Sequence, residues 1–329
     1  MSIDSDTRYR TAAAPVRGGD LAVGVWGPDD APTVIAVHGI TASHRAWALL
    51  GQLAPDLRVI APDLRGRGRS NHLPGPFGMD SHADDIAAVL DAFGVDPCLV
   101  IGHSMGGFVA VTLAERHPER VAGLVLVDGG LPLPLPAGVT PEDLPEALIG
   151  PAARRLAMRF KNAADYRDFW RVHPAFADDW SPTVEQYVDY DLVGTAPRLA
   201  PSAVAEAVAE DSLQLAGDEG YERALATIGV PIRFVRAPLD LADQAPGLYP
   251  EAAVEHWGDR VPQLSAHAAV DVNHYTIVMA ERGMRQVLRV LRPAVEAAAD
   301  GTTGGAITVS SPQAPTLATT APPTKESPE

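Results

Sequence analysis

The sequence predicts an α/β fold: a mostly parallel central sheet flanked by helices, with a helical insertion. Three observations carry this prediction. Short apolar runs rich in Val and Ile alternate with longer helical patterns through the first 130 residues. Those runs lack strict polar–apolar alternation, as strands buried on both faces do. The alternation stops at Leu131-Pro132-Leu133-Pro134-Leu135-Pro136 and returns at Pro231-Ile232-Arg233-Phe234-Val235.

Residues 8–17 and 20–26 alternate weakly around Gly18-Gly19-Asp20, the pattern of an N-terminal hairpin. Strands follow near 33–38, 58–62, 98–103 and 121–127, with helices near 44–53, 80–93 and 105–117. Asp80 and Ser81 are N-cap candidates for the second helix, and Gly94 suits its C-terminal end. Proline at every second position over 131–136 excludes helix and central strand, leaving an extended connector. From there to about 226 the pattern is helical, with no clear strand. A strand near 265–271 and a helix from about 275 to 298 complete the folded part. The expected division is a core of 1–130 and 227–298, a helical cap or lid of 131–226, and a disordered tail of 299–329 rich in Thr, Ala, Pro, Ser and Gly. Nine of the nineteen aromatic residues fall in the insertion. They suit either the cap's own core or the wall of a pocket.

The most informative stretch is Cys98-Leu-Val-Ile-Gly-His-Ser-Met-Gly-Gly107. An apolar strand stops at Gly102, Ser104 stands at the centre of Gly-x-Ser-x-Gly, and a helical pattern starts at Met105. A serine at such a strand-to-helix turn is held in a strained conformation, with its hydroxyl pushed out above the sheet. Glycines at 102 and 106 let the backbone turn sharply and pack closely. A neutral hydroxyl is a poor nucleophile, so it needs a base, and the base needs a third group to orient it.

Three further segments are His38-Gly39-Ile40-Thr41-Ala42-Ser43-His44-Arg45-Ala46-Trp47, Pro62-Asp63-Leu64-Arg65-Gly66-Arg67-Gly68-Arg69-Ser70 and Asp271-Val272-Asn273-His274. In order and spacing the four segments together resemble the α/β-hydrolase superfamily over roughly residues 20–295. The resemblance implies the α/β-hydrolase fold and a triad in the order serine, acid, histidine. Ser104 is then the nucleophile and His274 the base, on a loop between the last strand and the last long helix. The resemblance places the acid after the strand that follows the cap, at Asp240, although Ala237 stands where the family pattern often has glycine. A second solution in the superfamily places it after the preceding strand, at Asp128, and Asp240 is set ahead of Asp128. The oxyanion donors are the backbone N–H groups of Met105 and Ile40. His38 is expected to order the oxyanion loop, His103 to be the variable residue of the turn, and His267 to be structural. Arg65, Arg67 and Arg69 are expected to form a solvated, ion-paired loop. Serine at position 104 argues against the epoxide hydrolases and haloalkane dehalogenases that the chain also resembles, since those use aspartate there.

Composition sets the outer bounds. Against 26 Lys and Arg stand 42 Asp and Glu, giving a net charge of −16. That repels nucleic acid and anionic membranes. No apolar run approaches about 20 residues, so no transmembrane helix is expected. The acidic, polar N-terminus lacks signal-peptide character, and the single cysteine, Cys98, cannot form an internal disulfide. Together these point to a cytoplasmic location. No metal-ligand spacing or nucleotide fingerprint is present, so neither a metal nor a cofactor is expected. The reading is a cofactor-free serine hydrolase. It would cleave a small or medium apolar ester, lactone or thioester through an acyl-enzyme on Ser104. A C–C bond hydrolase, a perhydrolase of the cofactor-free haloperoxidase type, an acyltransferase and a low-turnover ligand-binding receptor are the alternatives. The expected partner is a small-molecule substrate, and the sequence leaves the oligomeric state open.

Overall fold

The computed structural model describes residues 9–95, 97–133, 143, 150–152 and 154–300. The expected tail, apart from its first two residues, and the second half of the proline-rich connector lie outside the described residues. An eight-stranded sheet forms the centre, in the order β1-β2-β4-β3-β5-β6-β9-β10. Its strands are β1 (Arg10–Val16), β2 (Gly19–Trp26), β3 (Thr33–Val37), β4 (Arg58–Pro62), β5 (Cys98–His103), β6 (Val121–Val127), β9 (Ile232–Arg236) and β10 (Leu264–Ala268). The hairpin β1–β2 joins β4 antiparallel, and every other pairing is parallel. The expected hairpin and strands are thus all present, with ends shifted by a few residues at most.

The uniform apolarity of the central strands follows from their burial on both faces. In β3, Val34 and Ala36 enter one apolar cluster while Ile35 and Val37 enter the other. β6 divides in the same way, with Leu124 and Leu126 on one face and Val125 and Val127 on the opposite one. Helices α2 (Met79–Phe93) and α3 (Met105–Arg116) supply residues such as Ile86, Leu90, Phe108 and Val109 to one cluster. The short α1 (Ala48–Leu53) supplies Leu49 and Leu50 to the other.

Between β6 and β9 lie α4 (Ala163–Arg171), α5 (Pro182–Asp191), α6 (Ala205–Ser212) and α7 (Glu219–Thr227). A two-stranded ribbon, β7 (Leu192–Val193) with β8 (Ala200–Pro201), interrupts them, so the expectation of helix without strand needs this correction. Many of the aromatic residues here pack on one another: Tyr166, Phe169 and Trp170 contact Phe160, Phe176 and Tyr275.

Three local readings also change. The helix expected at 44–53 starts as a 3-10 turn, His44–Trp47, before α1. α2 begins at Met79 after Gly78, and neither Asp80 nor Ser81 caps it. Its first N–H groups instead reach the insertion: Gly78 donates to Asp211 Oδ1 at 2.6 Å and Met79 to Gln214 Oε1 at 2.8 Å. The single helix expected over 275–298 is broken into α9 (Thr276–Met279) and α10 (Glu281–Ala299) by Ala280, whose ψ of 144° is extended. Sequence reading did not single out α8 (Glu251–Arg260), which starts after Pro250. Gly94 is left-handed and closes α2 as expected.

Candidate active site

The site sits where β3, β5 and β6 end, the edge at which open α/β sheets collect their ligands. Ser104 follows β5 with φ 55° and ψ −127°, a conformation that L-residues rarely adopt. Packing imposes it. A Cβ at position 106 would stand 2.1 Å from Val37 O, and one at position 129 would stand 2.0 Å from Ser104 O. Only glycine lets these backbones touch. Ser104 N–H also donates to Val127 O at 3.0 Å, which binds the turn to the end of β6.

His274 and Ser104 line one pocket, together with Gly39, Ile40, Tyr187 and Tyr275. His274 Nδ1 lies 2.7 Å from Asp128 Oδ2, with both residues buried. A carboxylate can only accept, so Nδ1 carries the proton and Nε2 keeps its lone pair. Asp128 Oδ1 accepts from Ala237 N–H at 2.9 Å, which fixes the carboxylate plane. Of the two acids named from the sequence, the structure brings Asp128 to His274 and leaves Asp240 away from it. Asp240 folds back on its own loop, where Oδ1 accepts from Ala242 N–H at 2.8 Å and Gln244 N–H at 2.9 Å. It satisfies its carboxylate in a partly exposed turn. Asp128 lies at a φ of 46° at the end of β6, beside the serine turn.

The loop carrying Ile40 is built with similar economy. Leu64 N–H donates to His38 Nε2 at 2.9 Å, so His38 Nδ1 bears the proton and donates to Gly39 O at 2.8 Å. Burial drives the His38 pKa down to about 4, so this ring is neutral. Carbonyl and N–H point in opposite directions across a trans peptide. Anchoring Gly39 O therefore aims the Ile40 N–H the other way. Met105 opens α3, where first-turn N–H groups lack intrahelical acceptors.

Two contributors escaped the sequence reading. His103 Nε2 donates to the His274 carbonyl at 2.8 Å. Burial first, and His274 second, hold its pKa well below the ordinary value, so it is a neutral support for the His274 loop. Arg67 is completely buried and not solvated as expected. Its Nε donates to Ile40 O at 2.9 Å, and its Nη2 pairs with Asp211 of α6 at 2.5 Å. Arg65 is likewise buried, forked onto Asp85, while Arg69 is exposed. No local signal marks the partner of Arg67, because Asp211 lies in the insertion. Among the described residues no group of His, Cys, Asp and Glu could hold a metal ion. No described helix is long and apolar enough to cross a membrane.

Comparison with known proteins finds the same fold. A family model for the alpha/beta hydrolase fold matches residues 32–180. The crystal structure of E-2-(acetamidomethylene)succinate hydrolase superimposes with a TM-score of 0.72 at 19% identity, covering 88% of this chain and all of that one. The chain thus has the α/β-hydrolase fold and resembles that family over residues 32–180. It is 41% identical over 114 residues to the lipase LipV of Mycobacterium tuberculosis, covering 35% of this chain and 43% of that protein. It is 35% identical over 152 residues to the bifunctional esterase/perhydrolase DCH of Acinetobacter calcoaceticus, covering 45% and 54%. The chain thus spans about half the length of these curated relatives.

Proposed function

We propose that this protein is a serine hydrolase that transfers the acyl group of a small or medium ester, lactone or thioester to water. The observation that carries the reading is the buried 2.7 Å contact between His274 and Asp128, with His274 lining the pocket that holds Ser104. In this mechanism His274 Nε2 takes the Ser104 proton as Oγ attacks the carbonyl carbon. Asp128 stabilises the imidazolium that forms. The N–H groups of Met105 and Ile40 receive the oxyanion, an interaction in which a lost donor costs about 3 kcal/mol. His274 then protonates the leaving group. A water, deprotonated by the same nitrogen, releases the acid and restores Ser104. Residues 131–226, which contain the helices between β6 and β9, act as the cap or lid, and the core comprises 1–130 and 227–298. The apolar side chains of Leu133, Leu215, Leu248 and Met279 in the pocket suit an apolar acyl or alcohol group.

A fluorophosphonate probe, read by peptide mapping, tests this reading. An adduct on Ser104 is expected in the wild type and in Asp240→Asn. None is expected in Ser104→Ala, and labelling at least about 100-fold slower is expected in Asp128→Asn. Rapid labelling of Asp128→Asn would remove Asp128 from the mechanism. The esterase/perhydrolase relative favours a second reading, in which hydrogen peroxide replaces water as acyl acceptor. Peracid formation from a carboxylic acid and peroxide separates the two readings.

A further inference from the structure

A second pocket adjoins the first. Ala152, Leu241 and Tyr275 line both. The side pocket is walled by Phe169, Trp170 and other apolar groups, and at its lining stands one charged side chain, Arg155. That arginine is only 2% exposed. Its Nη1 bonds Asp191 Oδ2 at 2.6 Å and meets the Tyr166 hydroxyl, and its guanidinium lies over Trp170 at 5.0 Å. Its Nε has no hydrogen-bond partner among the described residues.

A buried N–H of a charged group without an acceptor is costly, and proteins seldom leave one. Asp191 does not use up the cation. Its oxygens also accept from the Tyr166 hydroxyl, Ser202 N–H at 3.1 Å and Ser202 Oγ at 2.8 Å. Its charge is thus divided among several donors. His173 lines the same pocket. Ala175 N–H donates to His173 Nδ1 at 3.2 Å, so the proton of the neutral ring is on Nε2. Burial first, and Arg155 second, lower the His173 pKa, which keeps the ring in that form. No acidic side chain is among the described residues lining this pocket.

We propose that the side pocket is an anion subsite, in which Arg155 and His173 hold a terminal carboxylate of the substrate while an apolar spacer runs past Tyr275 to the reacting carbonyl. The substrate class is then a carboxylate-bearing ester, lactone or thioester. The proposal deepens the hydrolase reading and rests on it for the reaction, but the binding can be tested separately. Ionised acceptors are the natural complement of a guanidinium, since their hydrogen bonds are about twice as strong as neutral ones.

Calorimetric titration of the Ser104→Ala protein decides the matter without turnover. The probes are the monomethyl and dimethyl esters of succinate, glutarate, adipate and suberate. At the best-fitting length the monoanion is expected to bind at least about tenfold more tightly than the neutral diester. Arg155→Lys, which keeps a cation beside Asp191, is expected to bring that ratio close to one. His173→Leu is expected to lower it about threefold. Should Arg155→Lys fail to fold, His173→Leu carries the test alone. Equal affinity for monoester and diester, a preference that survives the folded variants, or no binding of any monoanion would overturn the proposal. If the monoanion preference holds but wild-type Ser104 takes no fluorophosphonate, the hydrolase reading falls and the subsite stands. Labelling without anion preference means the reverse.

Discussion

His274 donates to Asp128 across 2.7 Å, and His44 donates to Asp63 across 2.8 Å. Both histidines and both aspartates are buried. The two pairs share chemistry, length and environment, and they differ in what lies beyond them. The far nitrogen of His44, Nε2, is closed off by the Tyr9 hydroxyl at 2.9 Å. His274 lines the pocket that Ser104 shares. The acids differ too. Asp63 accepts from the ring and backbone N–H of His44, from Arg69 N–H and from the Tyr190 hydroxyl. Asp128 accepts only from His274 and Ala237 N–H among the described contacts. Burial opposes ionisation of Asp63, but His44, His38 and Arg69 more than offset it and bring its pKa down to about 2. In the proposed mechanism a His–Asp pair becomes machinery when one edge is left for a reactant. With every edge closed it is a rivet.

Amide substitution of the two acids gives the widest separation. Asn at 128 would present an N–H to His274, reverse the ring's tautomer and abolish its basic nitrogen. A loss of about 10⁴ in kcat/KM is expected with the fold intact, and ester hydrolysis with circular dichroism checks it. Asp63→Asn should do the opposite. The amide can accept at one atom where several donors converge, so a loss of about 3 kcal/mol in urea unfolding is expected. The activity per folded molecule, counted by fluorophosphonate titration, should stay within about threefold, the span of stability effects unconnected to chemistry. Comparable activity losses in the two variants would erase the distinction drawn between the pairs.

Acid titration separates the two regions by pH. His38 has a folded pKa of about 4 against 6.5 when exposed. As pH falls from 6.5 towards 4 the unfolded chain takes up a proton that the native state refuses, so stability is lost in that window, by about 3 kcal/mol in all. His103, also held neutral by burial, adds to the loss. Asp63 behaves differently: its contribution is complete above the unfolded value of 3.8 and disappears as pH falls through about 2. Urea midpoints at pH 7.5, 5.5 and 4.5 should fall for the wild type and fall less for His38→Gln. An equal fall in both would show that His38 is not protected from protonation.

The sequence disclosed the half of the site that is local. Ser104, the glycines around it and the His38-Gly39-Ile40 turn sit next to the strands that position them, so periodicity and turn chemistry reveal them together. The succession of strands along the chain and their two-sided burial were legible for the same reason. What was hidden is long-range. Asp128 and Asp240 both follow strands, and the choice between them depends on which carboxylate the chain brings to His274. Arg67 looks solvent-bound in a Gly-rich loop, because the insertion that buries it carries Asp211. The break at Ala280 was also concealed. It divides a continuous helical pattern and reflects the close approach of α10 to α9, where a Cβ at position 283 would lie 2.2 Å from Thr276 O.

The smallest expected effect makes the comparison sharpest. Tyr9→Phe removes the hydroxyl that donates to His44 Nε2 and leaves a His–Asp pair with one edge unoccupied, much as at His274. The substitution keeps the ring, its contact with Trp26 at 4.9 Å and the Arg45 guanidinium above it at 4.6 Å. Its cost is one partly buried hydrogen bond, about 1 kcal/mol. If an open imidazole edge were sufficient for reactivity, this variant would gain a second fluorophosphonate adduct near residue 44. The expected result is a small drop in the unfolding midpoint, an unchanged kcat/KM and an adduct on Ser104 alone. The residue that His44 faces is a tyrosine whose ring is packed between Trp26 and Arg45, and no strained turn presents a hydroxyl there. In the proposed mechanism an open edge is necessary, and the backbone that sets Ser104 at a φ of 55° supplies the other half of the device.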